Sequence, residues 1–192
     1  MKKIKTKAIF LDRDGTIVRH TKKFIVRASQ LRLLAGVPEA LRAFNEMGFL
    51  AVLITNQPVI SRGLITPRGM EKLHASLFER LKRRGARIDA AYVCPHHPDG
   101  KIPPYGRKCR CRKPEPGMIL QAIKDMNIDP RKSFMIGDAL IDIVTGKKAH
   151  TRTILVKTGP GHSRLDKFYQ RTKPNFVAKN LLVAARIVKK VK

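Results

Sequence analysis

The sequence has no apolar run near the roughly 18–20 residues that a membrane-spanning helix needs. Its basic start, MKKIKTK, is followed by only AIFL before Asp12, too little for a secretory leader, so a cytoplasmic protein is expected. Cysteine is scarce: Cys94, Cys109 and Cys111 are the three, and they fall within one 18-residue window. An odd number, clustered beside histidines, argues against a disulfide framework and points to a metal. Acidic residues are also few, 14 against 41 Lys and Arg, for a formal net charge of +27. A field of that sign attracts nucleic acid, anionic lipid or a phosphorylated substrate. The excess is spread along the whole chain, and its densest clusters, 82–84 and 189–190, fall at expected helix ends, where cations suit the dipole. A solvated basic surface is therefore the first reading, and a nucleic-acid partner the second. No internal repeat or linker divides the chain, so its 192 residues, 43% of them apolar, are expected to form one domain over 1–192, working as a monomer.

What is present is an alternation of short β-like runs and amphipathic helices. Strands are expected at 7–12, 50–55, 88–93, 133–136 and 153–156, with a last one near Phe176. Helices are expected at 37–47, with Leu41, Ala43 and Phe44 inward, at Gly117–Met126, at 140–149, and after Phe176 with Leu181, Leu182 and Val188 among its apolar residues. Another starts at Thr66, a capping residue followed by Pro67. It carries Met70, Leu73, Leu77, Phe78 and Leu81 at spacings of three and four, and Gly85 ends it. Alternating βα units imply a parallel sheet with helices on both faces. Ligands in such folds bind at the carboxyl ends of the strands.

Three motifs lie at such ends, AIFLDRDGT at 8–16, LITNQ at 53–57 and MIGD at 135–138, and a fourth, CRKP at 111–114, closes the loop that follows one. A carboxylate such as Asp12 can attack phosphorus and split a hard hydrolysis into two easier steps. Two anions meeting require a cation, and oxygen ligands suit Mg²⁺. Asp14 is placed to protonate the leaving oxygen and then activate water. Thr55 is a donor for a phosphate oxygen, Lys113 a neutralising charge, and Asp138 a third metal-facing carboxylate. Asp142, one helical turn on, supports either the metal or Lys113.

Cys94, His96, Cys109 and Cys111 supply a ligand set suited to tetrahedral Zn²⁺, with His97 the alternative to His96. The 12 residues between His96 and Cys109 include Pro103, Pro104 and Gly106, so a metal would staple the loop 94–111 directly before Lys113.

The order Asp12-X-Asp14-Gly15-Thr16, Thr55-Asn56, Lys113 and Gly137-Asp138 resembles the haloacid dehalogenase superfamily of Mg²⁺-dependent phosphatases. That resemblance implies a Rossmann-like fold, Asp12 as nucleophile and Asp14 as acid/base, with Asp12, the Asp14 backbone carbonyl and Asp138 as Mg²⁺ ligands. With CPHHPDG and CRCRKPEPGM added, residues 7 to 160 resemble the bacterial D-glycero-D-manno-heptose 1,7-bisphosphate 7-phosphatase family, near which the histidinol-phosphatases stand. This implies a small phosphorylated sugar as substrate, with Arg112 and Asn56 as its contacts. Histidinol phosphate is one alternative. A nucleic-acid 3′-phosphatase is another, since polynucleotide 3′-phosphatases resemble TNQ…RG. Departures from the family are TNQPVISRG for TNQSGIARG, IVRHTKKF after the first motif, Ala139 where Lys is common, and His150 where Gly is usual. The spacings leave no room for a large cap domain, so an open site is expected, with Lys22, Lys23, Arg62, Lys108, Arg110 and Arg112 as candidates for a basic rim.

Overall fold

The computed structural model describes residues 5–21, 23–162 and 171–192. Its strands are β1 (Lys7–Leu11), β2 (Phe49–Asn56), β3 (Ala90–Cys94), β4 (Phe134–Gly137), β5 (Arg152–Val156) and β6 (Phe176–Ala178), and its helices α1 (Val37–Glu46), α2 (Pro67–Lys82), α3 (Gly117–Met126), α4 (Leu140–Lys148) and α5 (Leu181–Val191). All six strands pair in parallel, in the order β3-β2-β1-β4-β5-β6. The chain therefore winds outward one way from β1 and the other way from β4. The crevice between those two strands is the place where a doubly wound sheet binds ligands.

The central strands are apolar throughout because both of their faces are covered. Ile9 and Leu11 of β1, Phe49, Ala51 and Leu53 of β2, and Phe134 and Ile136 of β4 face a core closed by α1, α2 and α5. The residues between them, Ala8, Phe10, Val52, Ile54 and Met135, face α3, which contributes Met118, Ile119 and Ala122. The period-two alternation thus sorts neighbouring residues into two cores. On that second face α4 packs against β4 and β5. A Cβ on Gly146 would stand 2.6 Å from Met135 Cβ, so the glycine is what allows the helix so close to the sheet.

The expected elements form, with ends shifted by one or two residues. The helix from Pro67 is capped as expected, Thr66 Oγ1 accepting from the Gly69 N–H at 3.0 Å. It stops at Lys82, and Gly85 follows in the left-handed conformation at φ +71°. Ala43 and Phe78 are only half-buried, whereas Val37, Pro38, Ala40 and His74 join the buried faces of their helices. His150 stands at φ +59°, which accounts for glycine being usual there in the resembled family. No separate cap domain stands among the described residues. Among the described residues between β1 and α1 there are only the 3-10 turn Ala28–Gln30 and isolated bridges. No helix of the described residues is long and apolar enough to cross a membrane.

Candidate active site

The parallel register sets Leu11 beside Ile136, so the chain leaves β1 and β4 side by side and brings Asp12 next to Asp138. Lys113 arrives from the loop before α3. Its ammonium donates to Asp12 Oδ1 at 2.6 Å, to Asp142 Oδ1 at 2.7 Å and to the Ile54 carbonyl at 3.0 Å. The second oxygen of Asp142 accepts from the Ala139 N–H at 3.1 Å, which caps α4 and fixes the carboxylate. Asp138 accepts from the Gly161 N–H at 2.9 Å. Gly15 lies at φ +91°, and a Cβ there would stand 2.7 Å from Asp138 Cγ. Only glycine fits that turn.

Oxygens of Asp12, Asp138 and Asp142 all lie within 4.8 Å of one another. Burial pushes Asp12 up to about 6, against the pull of Lys113. Burial, reinforced by Asp12, does the same to Asp138. Lys113 is raised too, but by its partners: desolvation alone would lower it, and the two carboxylates together outweigh that. Three buried carboxylates share one ammonium, which leaves uncompensated negative charge and an all-oxygen donor set. That is a setting in which a hard divalent cation fits.

Asp14 faces a cleft of about 510 Å³ that is also lined by His20, Lys23, Phe24, Gln57, Pro58 and Arg112. Thr55 stands one residue before the end of β2, which runs on to Asn56, and accepts from Gln57 Nε2 at 2.8 Å. Asn56, expected at the substrate, has both ends of its amide on the Lys113 backbone. Its Oδ1 accepts from the Lys113 N–H at 3.0 Å and its Nδ2 donates to the Lys113 carbonyl at 3.1 Å. Its amide thus holds the Lys113 backbone, while Asn56 also lines the cleft. Of the expected rim, Lys23 and Arg112 line the cleft, while Arg62 lies 4.9 Å over the Phe24 ring and Lys108 and Arg110 are not among the lining. Lys22 lies outside the described residues.

The cysteine loop closes as a cluster. The sulfurs of Cys94, Cys109 and Cys111 are 3.2–3.5 Å apart, and His96 Nδ1 is 3.4 Å from Cys111 Sγ and 3.8 Å from Cys94 Sγ. These gaps are too long for a disulfide and near the ~3.8 Å edge of a tetrahedron of thiolates around zinc. His97 instead accepts from the Asp99 N–H at 3.2 Å, so His96 is the histidine of the cluster. Arg112, one residue beyond Cys111, donates to the His96 carbonyl at 3.1 Å.

A HAD-hydrolase-like family model matches residues 110–184. The chain is 46% identical over 155 residues to a D-glycero-beta-D-manno-heptose-1,7-bisphosphate 7-phosphatase of Pasteurella multocida, covering 80% of this chain and 83% of that one. It is 40% identical over 183 residues to the Chlorobaculum tepidum D-glycero-D-manno-heptose-1,7-bisphosphate 7-phosphatase, covering 93% and 92%. The chain belongs to this phosphatase family of the haloacid dehalogenase superfamily. Its fold agrees with a D,D-heptose 1,7-bisphosphate phosphatase from B. bronchiseptica solved with magnesium and phosphate, at a TM-score of 0.85, 29% identity and coverage of 97% and 99%.

Four residues that sequence reasoning left unassigned surround this haloacid dehalogenase site. Arg13, between the two carboxylates of the first motif, is 1% exposed. Gln57 ends the TNQ motif, and Met70 and His74 lie on the apolar face of α2. The available signal was Arg13 itself, because an arginine following a buried strand must find partners.

Proposed function

We propose that the chain is a Mg²⁺-dependent phosphatase that removes the 7-phosphate of D-glycero-D-manno-heptose 1,7-bisphosphate through an aspartyl-phosphate on Asp12. What carries the reading is the meeting of Asp12, Lys113, Asp138 and Asp142 in one buried cluster, in a chain 46% identical to a phosphatase named for that sugar. Asp12 attacks phosphorus as the bond to the sugar oxygen breaks, and that oxygen takes a proton from Asp14. Water then attacks phosphorus and gives a proton to Asp14, and the bond to Asp12 breaks to release inorganic phosphate. Lys113 orients Asp12 and neutralises charge on the transferring group, to which the Thr55 hydroxyl donates a hydrogen bond. Asp12, the Asp14 backbone carbonyl and Asp138 would hold Mg²⁺, which supplies positive charge between two anions. Cys94, His96, Cys109 and Cys111 would hold Zn²⁺ and keep Arg112 at the cleft, where it meets a substrate phosphate. Residues 1–192 act in this reading as one cytoplasmic, monomeric unit.

The test is phosphate release with Mg²⁺ from heptose 1,7-bisphosphate, histidinol phosphate and a 3′-phosphorylated oligonucleotide at equal concentration. Preference for the heptose is expected. Preference for the oligonucleotide would overturn the sugar and make the +27 charge part of the substrate site.

A further inference from the structure

The Arg13 side chain is held from every side. Its Nε lies 3.2 and 3.1 Å from the two oxygens of Asp14, and its Nη2 lies 2.8 Å from Asp14 Oδ2. Nη2 also donates to Gln57 Oε1 at 2.9 Å. Gln57 Nε2 returns to Asp14 Oδ2 at 3.0 Å and closes a ring of three side chains. The remaining nitrogen, Nη1, points into α2, 3.2 Å from His74 Nε2 and 3.4 Å from Met70 Sδ. His74 is buried and stacks on Phe78 at 6.1 Å between centroids. Burial first, and the Arg13 cation second, lower His74 to about 4, so at neutral pH its ring is uncharged and accepts from Arg13.

A forked guanidinium fixes a carboxylate in two dimensions, where an ammonium fixes only a distance. Lys113 donates to Asp12 and Asp142 and not to Asp14, whose side chain is 28% exposed toward the cleft. Without the fork it would be free to turn into water. We propose that Arg13, locked in place by His74 of α2, is the positioning residue that holds the Asp14 carboxylate toward the leaving oxygen. The proposal rests on the reading of Asp14 as acid/base and adds how the fold aims it: through α2, which contributes no residue to the phosphoryl site itself.

The experiment compares two substrates of the Mg²⁺-loaded enzyme. The first step is read alone, as release of the leaving group in a single turnover, because the water step that follows uses Asp14 for either substrate. A sugar phosphate leaves as a strongly basic alkoxide and needs the proton, whereas p-nitrophenyl phosphate leaves without one. Arg13→Gln is expected to lower this single-turnover rate on heptose 1,7-bisphosphate about 100-fold, the scale of general acid catalysis, with the half-saturating substrate concentration little changed. Its loss on p-nitrophenyl phosphate should stay within about threefold, as for Asp14→Asn measured beside it. His74 also borders a largely apolar hollow of about 440 Å³ between α2 and β3, which gives a second route should Arg13→Gln fold poorly. His74→Leu removes the acceptor and should show the same selective loss at about tenfold, and His74→Gln, which keeps an acceptor, should restore most of it. Equal losses on both substrates, or none, from Arg13→Gln and His74→Leu while Asp14→Asn remains selective would overturn the positioning role alone. An Asp14→Asn enzyme with no selectivity would remove the acid/base reading and this proposal with it.

Discussion

Replacing Lys113 with Met removes, among the described residues, the one cation that hydrogen-bonds Asp12 and Asp142. Each of those contacts, at 2.6 and 2.7 Å, is a gross attraction of about 6 kcal/mol at an effective dielectric near 20. Desolvation of three buried groups offsets most of it, and stripping one partner from such a network costs about 3–5 kcal/mol. For a chain of this size, at about 2–4 °C per kcal/mol, the melting temperature should fall by about 6–20 °C. The pH dependence has a definite sign. Burial already raises Asp12 and Asp142, and loss of the ammonium raises both further. A carboxylate with a raised folded-state pKa destabilises the fold only when ionised. The penalty is therefore absent below the ordinary value of 3.8 and complete above the raised one. The deficit of Lys113→Met should widen from pH 5 to pH 8 and shrink again with Mg²⁺. Thermal unfolding of both proteins at those two pH values, with and without Mg²⁺, reads this, and turnover should fall about 10²–10³-fold. A variant within about 1 kcal/mol of the parent at pH 8, or one that keeps its turnover, would refute the reasoning.

Protons and Mg²⁺ should compete at Asp12 and Asp138. Both carboxyls are raised to about 6, so calorimetry should find affinity at least ~10-fold weaker at pH 5 than at pH 7, with protons released on binding, and equal affinity would count against the site. Cys109→Ser should lose the zinc measured by elemental analysis and lower the melting temperature, while a chelator should do the same to the parent protein and leave the variant unmoved. Gly15→Ala combines strain at φ +91° with a Cβ 2.7 Å from Asp138 Cγ, and should cost about 1–3 kcal/mol of stability together with a larger loss of Mg²⁺ affinity by calorimetry.

The alternation of apolar runs with 3.6-period stretches was enough to determine a parallel α/β sheet, and the polar residues ending those runs were enough to nominate Asp12, Thr55 and Asp138, with Lys113 nominated by the CRKP motif that closes a loop. Local chemistry dictates both, since strands covered on two faces must be apolar and reacting groups must lie where strands end. The cysteine window belongs with them, because soft ligands at close spacing declare themselves whatever surrounds them. Strand order was another matter. That β1 lies beside β4, bringing residues 126 apart in the chain within one ion's reach, follows from how the two halves wind. The choice of His96 over His97, equivalent by spacing, was made by which ring turned to Asp99. Asn56, nominated as a substrate contact by its motif, lines the cleft and also clamps the Lys113 backbone, a partner 57 positions away that the motif did not announce. Arg13 and His74, 61 positions apart, meet only after α2 packs on the sheet. Partners fixed by long-range packing leave no periodic trace in the chain, so tertiary structure alone decided which side chain each of these residues would touch.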